Sequence, residues 1–75
     1  MATQKIIPDL AHYNPDHLLS EKEAAPILGL RVRTLQQRRY LGQPPRFIRL
    51  PGTRSVRYRL SDLLAYVKEG EVFVS

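Results

Sequence analysis

Arg33, Gln36 and Gln37 fall within four positions of one another in a segment with little apolar content. These are residue types that read base edges. The arginine fork matches O6 and N7 of guanine, and the glutamine amide matches N6 and N7 of adenine. Around them stand residues suited to holding phosphates: Arg31, Thr34, Arg38 and Arg39 nearby, and Arg57 and Arg59 further on. Such contacts orient a protein on a duplex without reading its sequence. A third group, Thr53, Arg54 and Ser55, suits a loop tip. An arginine there can enter a narrow A·T-rich minor groove. Blander readings stand beside these. The outer residues of a helix can simply be solvated. Arg38 and Arg39 can drape their stems over a core, and Tyr40 can pack on a neighbouring element as readily as it meets a phosphate.

Other chemistries find little support. The chain has no cysteine, so no disulfide framework and no thiolate metal site. His12 and His17 are not spaced as a helical metal pair. Glu21, Glu23, Asp62 and Glu69 have accounts as caps and helix-face residues. No glycine-rich phosphate loop and no nucleophile–base pair is present. The expectation is a protein that is not an enzyme and needs no cofactor or metal.

The elements that position these groups follow from local pattern. Ser20-Glu21-Lys22-Glu23 is a capping box. Ala24, Ala25, Ile27 and Leu28 continue a short helix, and Gly29 ends it. Pro26 sits inside that helix, where a lost hydrogen bond predicts a distortion. Arg31–Leu41 suits a second helix. Val32 and Leu35 share one side, and Arg33, Gln36, Gln37 and Tyr40 point away from Leu35. Helix, glycine turn and helix with a polar outer face is a helix-turn-helix pattern. Gly42-Gln43-Pro44-Pro45 stops the second helix.

Phe47–Leu50 and Val56–Leu60 read as strands joined by the turn Pro51-Gly52-Thr53-Arg54-Ser55. In the second strand Val56, Tyr58 and Leu60 alternate with Arg57 and Arg59, which gives one apolar and one cationic face. Ser61-Asp62 is the expected cap of a third helix, Asp62–Lys68, closed by Gly70. The expected architecture is α+β, three short helices with a two-stranded hairpin, over residues 18–70. Residues 1–17 read as an N-terminal arm and 71–75 as a C-terminal tail.

Charge agrees with this placement. The chain has 75 residues and a formal net charge of +5. From Ala24 to Ser61 there is no acidic residue, yet that stretch holds nine of the twelve basic residues, all arginine. Segregation of this kind aims a positive surface at a polyanion. No apolar run approaches the ~20 residues of a membrane span, and the first residues do not resemble a signal peptide. The expected setting is cytoplasmic and nucleoid-associated.

The segment Leu18–Glu69 resembles the MerR-like excisionase family of small winged helix-turn-helix proteins. The matching series is Leu19-Ser20-x-x-Glu23-Ala24-Ala25-x-Ile27-Leu28-Gly29, then Thr34-Leu35, Pro44-Pro45-x-Phe47 and Val56-Arg57-Tyr58-x-x-Ser61-Asp62-Leu63. Three positions depart from it. Arg31 replaces a favoured serine cap, Arg38 stands where the family usually has tryptophan or another apolar residue, and Pro26 interrupts the first helix. The resemblance implies an accessory protein that binds and bends double-stranded DNA at an attachment site and promotes integrase-mediated excision, that is, a recombination directionality factor. A small transcription regulator with the same DNA contacts is the alternative, and a protein-interaction adaptor a third. An integrase is the implied partner. Self-association on DNA would use the arm, through Ile6, Ile7, Leu10 and Tyr13, or the tail, through Val72, Phe73 and Val74.

Overall fold

A computed structural model describes residues 14–72. The order of elements is β1 (Leu18–Leu19), α1 (Glu21–Leu28), α2 (Val32–Tyr40), β2 (Ile48–Arg49), β3 (Val56–Arg59) and α3 (Leu60–Glu69). It is a small α+β arrangement of three helices and one three-stranded antiparallel sheet with strand order β1-β3-β2.

The first helix forms as its cap predicts. The Glu23 amide donates to Ser20 Oγ at 3.2 Å, and the Ser20 amide donates to Glu23 Oε1 at 2.9 Å. Two orphan amides are thereby satisfied at once. The helix runs as one element through Pro26, which lies in its last turn with its ring exposed. Gly29 then takes the left-handed conformation, φ 69°, and the Leu30 amide donates back to Ala25 O at 2.9 Å. This sends the chain directly into α2. Arg31 occupies the N-cap position of α2 without a side-chain cap. The expected helix over Arg31–Leu41 is one residue shorter at each end, ordinary fraying of a terminus.

The hairpin differs more. β2 is only two residues, pairing Ile48 with Arg57 and Arg49 with Val56. The loop is closed by the Leu50 amide on Ser55 O at 3.0 Å. Inside it the Thr53 amide donates to Leu50 O at 3.2 Å, and Gly52 has φ 73°. A positive φ after proline is what a type II turn requires. Leu60, expected as the last strand residue, is instead the first of α3, because β3 runs into that helix without a linker.

Two further corrections share one cause. The third helix begins at Leu60, not Asp62, and its N-cap position is Arg59, which makes no side-chain cap bond. Its first amides find backbone partners instead. Leu60 donates to His17 O and Ser61 to Pro15 O, each at 2.9 Å. Those carbonyls belong to a turn in which the His17 amide donates to Asn14 O and the Asp16 amide to Asn14 Oδ1. Residues 14–17 are therefore integral to the domain rather than arm. They lead into β1, a third strand that the two-stranded expectation omitted, pairing Leu18 with Arg59 and Leu19 with Tyr58. The arm residues Ile6, Ile7, Leu10 and Tyr13, and Phe73 and Val74 of the tail, lie outside the described residues; Val72 is exposed.

The core gathers one or two residues from nearly every element. Leu19, Ala24, Ala25, Leu35, Val56, Tyr58, Leu60 and Leu63 are buried, with Ile27, Leu28, Leu30, Val32, Phe47 and Leu64 packed against them. The two alanines let α1 sit close against its neighbours. Asp62 now falls in the first turn of α3, where a carboxylate complements the helix dipole.

Candidate nucleic-acid interface

Leu35 is the single fully buried residue of α2 and fixes which side of the helix faces inward. Arg33, Gln36, Gln37 and Tyr40 are exposed on the other side, in agreement with the 3.6-residue period. Together with Arg39 they line an open groove. Tyr40 is 87% exposed, so it does not pack on the hairpin. Arg31 is exposed and Thr34 half-buried.

A second groove joins this face to the sheet. Its lining includes Ser20, Lys22, Val32, Gln36 and Arg57. The structure thus brings Arg57, twenty-one positions away in sequence, beside Gln36. Arg57 is half-buried and donates from Nη1 to Val56 O at 2.8 Å. Arg59 lines neither groove. It pairs with Asp62 at 3.6 Å, three positions on.

Arg38 and Arg39 are engaged within the protein. Arg38 donates from Nε to Pro44 O at 2.7 Å and from Nη2 to the Tyr66 hydroxyl at 3.1 Å. Arg39 donates from Nε to Glu21 Oε2 at 2.9 Å, and the side chains of this pair are only 23% and 16% exposed. The other Glu21 oxygen, Oε1, accepts from Gln36 Nε2 at 3.2 Å. One carboxylate from the first turn of α1 therefore braces two successive residues on one side of α2. The Arg39 guanidinium also lies 6.0 Å from the centre of the Phe47 ring, and that of Arg49 lies 5.9 Å from the same centre. Beneath them Tyr58 is fully buried. Burial pushes its hydroxyl pKa upward; Glu21 adds to the shift and Arg39 opposes it.

At the hairpin tip the three candidate residues separate. The Thr53 hydroxyl donates to Leu50 O at 3.0 Å and accepts from the Ser55 amide at 3.1 Å. Ser55 is half-buried. Arg54 is exposed between them. Among the described residues the side chains of Arg31, Arg33, Arg46 and Arg54 make no hydrogen bond or ion pair with another residue, which leaves these cations available to an outside anion.

Sequence reasoning did not find Glu21 or the Arg39–Phe47–Arg49 stack. Glu21 has an adequate local explanation at a helix start, and its partners lie 15 and 18 positions away. No local spacing signals them. Among the described residues no group of histidines and carboxylates is arranged to hold a metal ion, and no helix is long and apolar enough to cross a membrane. Comparison of the chain with protein-family models, curated proteins and solved structures finds no match.

Proposed function

We propose that the chain is a sequence-reading DNA-binding module built as a winged helix-turn-helix. In this reading α1, the Gly29 turn and α2 form the helix-turn-helix, α2 enters the major groove, and the β2–β3 hairpin is the wing. The observation that carries the proposal is the outer face of α2. Leu35 anchors its inner side, while Arg33 and Gln37 stand exposed and unengaged beside Gln36, in a stretch without any acidic residue. The helix-turn-helix frame puts such a face against base edges. Arg33, Gln36 and Gln37 read bases. Arg31, Thr34 and Arg57 hold backbone, and Arg54 reaches the adjacent minor groove. Arg49, over the same Phe47 ring as Arg39, and the unengaged Arg46 add positive charge.

The role we favour for a module of this kind is that of an accessory factor, which acts by deforming DNA. By its resemblance to the excisionases the target is the attachment site of an integrated element, where the protein assists an integrase.

Binding of a duplex across a salt series tests the central proposal. With about five arginines on phosphates, log K should fall against log salt with a slope of about −4.5. A nearly flat slope would reject a phosphate-dominated interface. Chromatin mapping of the tagged protein tests the role. Occupancy clustered at one element's attachment site supports the accessory reading, whereas occupancy at a promoter with altered transcription supports a regulator.

A further inference from the structure

The contact between Glu21 and Gln36 has a chemical polarity. A carboxylate oxygen accepts and does not donate, so the half of the Gln36 amide that meets Glu21 is the NH2 half. Turning the amide over would set two acceptor oxygens against each other. Arg39, on the second Glu21 oxygen, keeps the carboxylate where it is, with both partners on one side of α2. Gln36 is nevertheless exposed and lines both grooves. With one amide hydrogen held by Glu21, the carbonyl oxygen is the acceptor this side chain presents to a ligand, and the second amide hydrogen lies beside it in a fixed order.

We propose that Glu21 is a specificity-setting residue that acts through Gln36: it locks the Gln36 amide with the carbonyl oxygen outward, so that Gln36 accepts a hydrogen bond from a base bearing a major-groove amino group. This inference rests on the DNA-binding reading above. In the major groove adenine and cytosine present an amino group, whereas guanine and thymine present a carbonyl oxygen at the corresponding edge. With its carbonyl oxygen as the contacting atom, Gln36 selects adenine or cytosine on one strand at one position of the site. Gln37 carries no such lock and keeps both amide orientations. Glu21 touches no base; it is a positioning residue.

The test is selection from a random duplex library by the wild-type protein, Glu21→Gln, Gln36→Ala and the double variant, with melting curves to check that each is folded. A glutamine at 21 offers either a donor or an acceptor to Gln36, so the orientation is no longer fixed. Wild type should prefer adenine or cytosine at one position by about three- to tenfold, the worth of one hydrogen bond. Gln36→Ala and Glu21→Gln should each abolish that preference and spare the other positions, and the double variant should lose nothing more. Glu21→Asp, which keeps the charge but is one methylene too short to reach both partners, should also lose it, and serves if Glu21→Gln does not fold. A preference that survives in the folded Glu21 variants but falls in Gln36→Ala would overturn the role of Glu21. So would a selected site in which removing the exocyclic amino group at that position, by purine in place of adenine or a 4-deamino pyrimidine in place of cytosine, costs wild type nothing, or a Gln36→Ala profile identical to wild type. Wild-type protein that binds no duplex at all would overturn the DNA-binding reading itself, an outcome distinct from each of these.

Discussion

The guanidinium of Arg38 donates to the Tyr66 hydroxyl at 3.1 Å and also lies 5.9 Å from the centre of the same ring, tying α2 to α3 across 28 positions of sequence. Its Nε is simultaneously on Pro44 O. An arginine held this way acts chiefly as a strut. Arg38→Ala should therefore cost about 1 kcal/mol of stability, and lower Tm by about 4–8 °C for a domain of this size. Affinity for DNA, measured well below Tm, should change less than for Arg33→Ala. A variant that melts like wild type but loses DNA affinity would show that the strut is dispensable and the charge is used outside.

Acid should weaken the start of α1. The Ser20 amide holds the Glu23 carboxyl below its ordinary value of 4.5; burial opposes that shift, and the Ser20 hydroxyl and the charges of His17 and Arg57 add smaller contributions in the same direction as the amide. A depressed folded-state pKa contributes stability that is present above 4.5 and is lost as pH falls through the lowered value. Glu23→Gln keeps an acceptor for the Ser20 amide but cannot titrate. Between pH 7 and pH 3, wild type should lose more Tm than Glu23→Gln. Equal losses would mean that the reciprocal bond does not persist in solution. Ser20→Ala, by contrast, should cost about 1 kcal/mol at neutral pH.

Reading and holding should separate by mutation. Arg33→Ala and Gln37→Ala should each remove about 1–3 kcal/mol of preference for the specific site, with a smaller effect on random DNA. Arg57→Ala should weaken binding to both duplexes alike, because a backbone contact carries no sequence information. Competition assays with specific and random duplexes measure this. Identical profiles for Arg33→Ala and Arg57→Ala would remove α2 from the role of reader.

For the wing, the decisive residue is Arg54. The Thr53 hydroxyl is spent on its own loop, so Thr53→Ala should act through loop stability. Arg54→Ala should leave Tm unchanged and weaken binding most on sites flanked by A·T-rich sequence, where a narrow minor groove concentrates negative potential. Uniform behaviour on all flanks would place the hairpin off the DNA.

Much of this arrangement is legible in the sequence where it depends on near neighbours. The capping box, the Gly29 stop and the inward Leu35 each need only residues within one or two helical turns. β1 is not legible, because two leucines show no alternation and exist as a strand only by pairing with β3, about 40 positions on. The start of α3 misleads for a related reason. Ser61-Asp62 looks like a cap, yet the first amides are met by carbonyls of Pro15 and His17, and a backbone carbonyl carries no residue signature. At the candidate site, the exposed face of α2 follows from periodicity. The division between free and engaged arginines does not, because it depends on Glu21, Pro44 and Tyr66, which only the packed structure brings near.

β3 is bonded on both edges and continues without a break into α3. Its four residues are therefore the point at which the N-terminal strand, the hairpin and the last helix would have to let go together. The amides that β3 donates to its neighbours should exchange with solvent only through opening of the whole domain, at the free energy of global unfolding. The hairpin loop and the end of α3 should exchange through smaller openings. A molecule with this exchange pattern has no separately melting wing: the loop can adapt to a surface, but the strand it hangs from is as persistent as the fold.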